Sequence, residues 1–497
     1  MKKSRPILTF LKSHFVLVLF SVLFIILRLP SLFEPHWYGD EGIYASVALA
    51  LEHGKRLYID VFDNRLPFIY YLYSLADTNN RLLVMKIFSV IAGVITLVGI
   101  SSLAKRLQLQ AVIIAVLLVA TWFLGTPRFE GNIANTENFF LPFAVWGLWA
   151  GISGTKKGSL VAGMLFGAAF LIKFLPMFTL AALVSYIVLN IAYKKGLKLQ
   201  NCFLLAIGFS IPVILTFGFL YLNGNLKEAV QYGLLNNANY VAEYSNVGIS
   251  AATKIIGFIV AIVIVIALYF YKRISNTALF LLLLLAFDYY AVLFSGRKYE
   301  HYLLQIVPSI SLASGFVINS LIQKGKIQTK ILLLVGSVII VYLGNMIFYA
   351  GTGTAVKMRI SRYYHEFVMA TLKTHYDPSL PFTFYREPAR LKIVDYIVKR
   401  YNTKNIYFYS DESWIYDYAH IDPPTFFVAV YHENLVPNGP KRTVDDLKKN
   451  HPPVIAVDKR STMSKEMSSY LETIYTEDFE DSYFKYFVVE NSQEDER

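Results

Sequence analysis

Cysteine is almost missing. Cys202 is the single one in 497 residues, so no disulfide within the chain contributes to stability. Charge is scarce too: 16% of residues are charged against 55% hydrophobic, and the mean hydropathy is +0.45. A soluble protein cannot hide that much apolar surface, which places the chain among polytopic α-helical membrane proteins. Internal repeats, low-complexity tracts and Walker or dinucleotide fingerprints are all absent, which removes the P-loop and Rossmann readings. The net charge of +12 does not signal nucleic acid. Most cations sit in short loops between apolar runs, where they act as topology signals and headgroup contacts.

What is present is a succession of apolar runs. A hydrocarbon core about 30 Å thick needs roughly 20 helical residues. On that measure about eleven spans are expected, near residues 12–29, 82–104, 110–126, 137–153, 159–172, 175–193, 201–222, 253–271, 277–295, 300–322 and 331–349. The first follows MKKSRPILTFLKSH and lacks a small-x-small cleavage site before LRLPSLFEP, so it reads as an uncleaved anchor. Lys2, Lys3, Arg5 and Lys12 precede it, and Lys105–Arg106, Lys156–Lys157, Lys194–Lys195–Lys198, Lys272–Arg273 and Lys324–Lys326–Lys330 mark every second loop thereafter. Cationic loops stay cytoplasmic, so the N-terminus is expected inside and the C-terminus outside the cytoplasmic membrane.

From about residue 350 the chain changes character. Short strands are expected at NIYFYS (405–410), TFFVAV (425–430) and PVIAVD (453–458), with helices in REPARLKIVDYIVKRY and VDDLKKN between them. Two domains follow: a membrane domain over 1–349 and a small extracytoplasmic α/β domain over 350–497. The loop of 30–81 is patterned as well. YASVALALEHG and FIYYLYSLA read as helices lying in the membrane interface, and DVFDNRLP between them puts Arg65 just before a proline.

Chemistry-bearing residues gather on the extracytoplasmic side. Asp40 and Glu41 lie in HWYGDEGIYA just after the first span, and Glu137 opens the fourth. Arg65, Arg128, Lys173, Arg297 and Lys298 lie at outer span ends, against the inward bias of Lys and Arg. Each alone is accounted for by snorkelling or by pairing with Asp or Glu. Clustered on one face with three carboxylates, they suit an anionic lipid headgroup. Asp288, inside the ninth span, reads first as a structural hydrogen-bond acceptor and second as a site residue.

GDEGIYA, DNRLP, NTENFF, FLIKFLP and RKYEHYLLQIVP occur in an order that resembles the GT-C superfamily of polyprenyl-phosphate-sugar glycosyltransferases. The nearest branch is that of protein O-mannosyltransferases and lipid A aminoarabinose transferases. The resemblance covers the membrane part, and SDESWIYDYA with PPVIAVD is similar to the soluble ending of many bacterial members.

It implies an inverting transfer of a sugar from a polyprenyl-phosphate donor to a hydroxyl on a glycolipid, envelope glycan or protein. Asp40 would be the general base and Glu41 would position it, while Tyr44 would reach the sugar or phosphate. Arg65, Lys173, Arg297, Lys298, His301 and Tyr302 would bind the donor, with His301 as a hydrogen-bonding residue. Glu137 stands where aminoarabinose transferases have an aspartate. Gln305 replaces a proline expected after HYLL, a change that bears on helix shape.

No cofactor is implied. A divalent cation held by Asp40, Glu41 and Glu137 is disfavoured, because adjacent carboxylates are hard to aim at one ion and the cations already neutralise charge. The competing class is a secondary transporter or a flippase of envelope precursors. Its signatures are midplane charges and repeat symmetry, whereas here the charges collect at one face.

Overall fold

The computed structural model describes residues 6–193, 197–237, 250–294, 296–297, 299–323, 360–372 and 387–489. The expected span at 331–349 and Lys298 lie outside the described residues. The chain divides into two compact units: Met1–Leu32, Lys86–Thr216 and Val241–Tyr364 form one, and Phe33–Met85, Phe217–Tyr240 and His365–Arg497 the other.

Every expected span among the described residues is helical. Among the described residues, six stretches are long and apolar enough to cross a membrane: His14–Phe33, Thr78–Arg106, Leu199–Leu222, Ala251–Phe270, Asn276–Phe294 and Glu300–Gln323. Gln110–Gly125 and Pro176–Ala192 are shorter apolar helices. Ile256, Ile259 and Val263 of Ala251–Phe270 are more than half exposed, as side chains facing hydrocarbon would be.

Within the first unit, small residues let helices close on one another. The Lys156–Ile172 helix crosses Leu199–Leu222 at Gly163 and Gly208, where a Cβ on either would strike a backbone carbonyl of the other helix. Thr155 caps the former through Gly158 N–H at 3.0 Å. Asp288 is buried with polar company: Thr179 Oγ1 donates to Oδ1 at 2.6 Å and Ser309 Oγ to Oδ2 at 2.9 Å. Gln305, in the 3₁₀ turn Glu300–Ile306, donates to Leu175 O at 3.0 Å and Thr179 Oγ1 at 3.2 Å. The glutamine in place of proline therefore ties three segments together besides shaping the helix start, and Asp288 is the acceptor at its centre.

The second unit is built on a four-stranded sheet from the C-terminal segment. Strands β1 (Ile406–Tyr409), β2 (Val454–Asp458), β3 (Tyr475–Glu480) and β4 (Phe484–Val489) take the order β1-β2-β4-β3. β1 and β2 run parallel, joined by a helical crossover, while β4 pairs antiparallel with both neighbours. Tyr407, Tyr409, Leu447, Ile455, Met467 and Leu471 form the core between the sheet and the helices Gly439–Asn450 and Lys465–Ile474.

Two expectations need correction. TFFVAV (425–430) is not a strand. Phe426 and Phe427 pack on Phe62 at ring-centroid distances of 5.2 and 5.4 Å, and only an isolated bridge joins Phe427 to Phe62. An apolar run without alternation does not reveal whether its partner is a sheet or an aromatic cluster. The Gly39–Glu52 helix does not lie on an interface with one face outward, for residues Glu41 to Ala50 are all buried. Its small side chains make it thin enough to be enclosed, and the helix Trp414–Ala419 covers Gly42, where a Cβ would come within 2.8 Å of the Trp414 ring.

Candidate active site

In the second unit Asp40 and Glu41 occupy the first turn of the Gly39–Glu52 helix, where the backbone N–H groups and the helix dipole favour negative charge. The two are placed differently. Glu41 is fully buried, whereas the Asp40 side chain keeps 21% of its surface and lies 3.6 Å from Arg65 Nη2. The turn is held from behind by the tail. Trp414 Nε1 donates to Tyr38 O at 2.9 Å, Ser413 Oγ to Gly39 O at 2.9 Å and Ser46 Oγ to Ser413 O at 2.5 Å.

Arg65 is fixed by its neighbours in DVFDNRLP. Its carbonyl accepts Tyr58 Oη–H at 2.6 Å, its backbone N–H donates to Tyr70 Oη at 3.1 Å, and its Nη1 bonds Asn64 Oδ1. Tyr70 in turn donates to Asp63 Oδ2 at 2.8 Å. Tyr44 is buried edge-on to Tyr73 and Tyr70, with ring centroids 5.5 and 6.1 Å away. It is therefore a packing partner of this loop.

Two groups went unrecognised in the sequence. Fully buried Arg81 pairs with Asp417 of the tail and with Glu52, and donates to Ala45 O at 3.3 Å. Its signal was available: it is one more cation at an outer span end. His432, also fully buried, faces Asp63 with Nε2 3.5 Å from Oδ1, and neither ring nitrogen makes a hydrogen bond among the described residues. Burial pushes its pKa down to about 4, against the pull of Asp63, so at neutral pH the contact is not an ion pair. No local pattern in VYHENL marks that histidine.

The first unit carries the remaining residues. Glu137 opens the helix Thr136–Gly151, capped by Asn135, and accepts Thr136 Oγ1–H at 2.8 Å. Lys173 ends the helix Lys156–Ile172 in extended backbone and donates to Glu137 Oε1 at 2.5 Å. The lysine is thus paired, as the pairing account of outer cations anticipates, and its ammonium also sits 4.5 Å from the centroid of the Tyr302 ring. His301 Nδ1 lies 2.7 Å from Glu130 Oε2, and its ring meets Tyr302 edge-on. Arg297 donates to Tyr299 Oη at 3.2 Å. No three His, Cys, Asp or Glu side chains converge to hold a metal among the described residues.

The chemistry on offer is that of a partly exposed carboxylate beside a guanidinium in one unit, and of an ammonium, an imidazole and phenol rings in the other. Residues 67–218 match the family model described as Dolichyl-phosphate-mannose-protein mannosyltransferase. Among solved structures, ArnT from Cupriavidus metallidurans bound to undecaprenyl phosphate is 13% identical with a TM-score of 0.58, over 97% of this chain and 99% of that one. ArnT in the apo state gives 13% and 0.56 over 95% and 97%. The apo oligosaccharyltransferase of Archaeoglobus fulgidus gives 13% and 0.50 over 89% and 69%. No curated protein matches the chain in sequence. The chain thus shares the fold of these neighbours and, over residues 67–218, matches the mannosyltransferase family model, both in keeping with the resemblance carried by the motifs.

Proposed function

We propose that the protein is an inverting glycosyltransferase that moves a sugar from a polyprenyl-phosphate donor to a hydroxyl acceptor at the outer face of the cytoplasmic membrane. The observation that carries this reading is the difference between the adjacent carboxylates. Asp40 reaches the surface beside Arg65, while Glu41 is sealed in.

An acceptor hydroxyl needs a base positioned within hydrogen-bond reach, and Asp40 has the exposure to serve. As the acceptor oxygen bonds to the anomeric carbon, its proton passes to Asp40. The bond from that carbon to the phosphate oxygen breaks with its electron pair, and polyprenyl phosphate leaves carrying the charge. Fixed cations stabilise charge that develops at the leaving group, which is the role proposed for Arg65 and for Lys173, Arg297 and Lys298. His301 and Tyr302 would contact the donor, and Glu137 holds Lys173 in position. Glu41 supports the turn that bears the base. No metal is needed in this scheme. The undecaprenyl phosphate bound to the ArnT neighbour supports a lipid phosphate as the donor's carrier.

The test is release of polyprenyl phosphate by the purified enzyme with a panel of polyprenyl-phosphate sugars. Asp40→Asn keeps the volume and removes the base, so turnover is expected to fall at least about 100-fold with donor affinity retained. Glu41→Gln should be milder. Near wild-type turnover in Asp40→Asn, with Glu137→Gln inactive, would move the base to Glu137.

A further inference from the structure

A cavity of about 800 Å³ opens in the second unit, away from any residue given a role above. Lys55, Ile59 and Asp60 form one wall and the segment Asp422–Phe426 another. Arg442, Asp446 and Lys449 of the helix Gly439–Asn450 face them, with Lys404 and Asn405 at the edge. The size suits a small-molecule site, for which roughly 300–1,000 Å³ is usual.

The charges in this cavity are unevenly occupied. Each acid already has a partner. Asp60 accepts from Arg56 N–H at 2.8 Å and Nε at 3.1 Å, Asp422 Oδ1 lies 2.6 Å from His53 Nδ1, and Asp446 Oδ2 accepts Phe426 N–H at 2.8 Å. The cations do not. Lys55, Lys404, Arg442 and Lys449 make no salt bridge among the described residues. Lys55 Nζ donates to Pro423 O at 2.5 Å, and burial lowers its pKa against the pull of Asp422, Asp60 and Asp446. Arg442 Cζ lies 3.2 Å from the Phe426 ring centroid, and the guanidinium donates from Nη2 to Ile59 O at 3.0 Å and from Nη1 to Tyr232 Oη at 3.3 Å.

Acceptors stand beside these donors. Asn405 and Asn450 spend their amide N–H groups on Asn450 O at 3.2 Å and Pro424 O at 2.5 Å. Their side-chain oxygens are left to receive hydroxyls. The lining cations Lys55, Lys404, Arg442 and Lys449 outnumber Asp60, Asp422 and Asp446, which favours an anion, and the amide oxygens can accept from hydroxyl donors. A sugar bearing a phosphate offers both.

We propose that this cavity is a second saccharide site, which binds a phosphate-bearing sugar with its charge on Lys404, Lys449 and Lys55 and its hydroxyls on Asn405 and Asn450. It is independent of the transfer chemistry at Asp40, and serves to hold an anionic glycan on the tail.

The full-length protein in phosphatidylcholine nanodiscs is titrated with glucose 1-phosphate, glucose and inorganic phosphate, by calorimetry. Glucose 1-phosphate should bind at least about 10-fold tighter than either of the others, one such factor being about 1.4 kcal/mol. Lys404→Gln/Lys449→Gln, both exposed positions, should weaken it about 10-fold and leave glucose unaffected. Asp40→Asn should bind it as the wild type does, which separates this site from the transfer reading. Equal binding of inorganic phosphate would overturn the saccharide assignment. Loss of binding in phosphatidylglycerol nanodiscs would show that a lipid headgroup fills the cavity, and overturn it too. Undiminished binding in the double variant, or binding abolished by Asp40→Asn, would place the sugar elsewhere.

Discussion

Arg65, Lys173 and Arg297 are cations whose worth depends on what they meet. If they hold the donor phosphate, each charge-assisted contact is worth roughly 1.5–3 kcal/mol, so neutralising one should weaken polyprenyl-phosphate binding about 10-fold or more. A neutral prenyl alcohol should lose nothing, and Arg65→Lys should recover only part, since lysine lacks the fork. Equal losses for phosphate and alcohol in Arg65→Ala, Lys173→Ala and Arg297→Ala would mean that these residues serve the folded structure and not the donor phosphate. His432 and Glu433 make a second pair of predictions about pH. His432, facing Asp63, Arg65 and Asp40, has its pKa lowered from 6.5 to about 4, chiefly by burial. Its contribution to stability is present above 6.5 and is lost as pH falls through 4. Glu433, near Asp411 and Glu466 and bonded by Thr443, is raised from 4.5 to about 7, again chiefly by burial. Its contribution is present below 4.5 and is lost as pH rises through 7. Between 4.5 and 6.5 the two oppose each other, so thermal stability of the wild type should change little there. His432→Gln should grow more stable as pH falls across this window and Glu433→Gln less stable. Parallel pH profiles for all three proteins would refute the assignment.

Among elements, the contact between the carboxylate helix and the tail helix Trp414–Ala419 does most to shape the site. Gly42 has no room for a side chain against Trp414 and Ser413, so Gly42→Ala must push the two helices apart. Overpacking of that kind costs about 1–3 kcal/mol, and here it also moves Asp40. Turnover is expected to fall with donor affinity kept, measured beside the unfolding temperature. The buried Arg81–Asp417 pair anchors the far end of the same contact. Asp417→Asn leaves buried Arg81 with only the part-exposed Glu52 as counter-charge, a loss bounded by the roughly 3–5 kcal/mol of a broken buried pair, whereas apolar replacement of both is far milder. Asp417→Asn should therefore destabilise the protein more than Arg81→Met/Asp417→Leu. The reverse order, read by thermal melts in detergent, would show that the pair is solvated.

For the whole molecule, the alternation of cationic loops supports a cytoplasmic N-terminus and an outer tail. Cysteines introduced at position 36 and near 440 are expected to react with a membrane-impermeant thiol reagent in intact spheroplasts, and one near 196 should not. Labelling at 440 only after permeabilisation would overturn the orientation. The packing within the second unit bears on the same point. Tyr38, Gly39 and Ser46 bond directly to Ser413 and Trp414, so the carboxylate turn and the tail must lie on one side of the membrane.

Much of this was legible in the sequence because it depends on local or additive quantities. Hydropathy summed over about 20 residues decides membrane insertion, and the helices at 81–106 and 276–294 follow from it. Asp40–Glu41 after the first span and Arg65 before its proline are likewise short-range patterns, as are β1 and β2, whose apolar runs are bounded by turns. Only tertiary structure decided the rest. Whether the Gly39–Glu52 helix lies on a membrane or inside protein depends on Trp414, more than 370 positions away, and periodicity is silent about that partner. The mostly exposed, acidic β3 was hidden for the same reason, since its pairing with β4 sets it and its own side chains do not. Asp40 and Glu41 are adjacent in sequence and equal in chemistry. Burial alone separates them, and burial is a property of the packed chain.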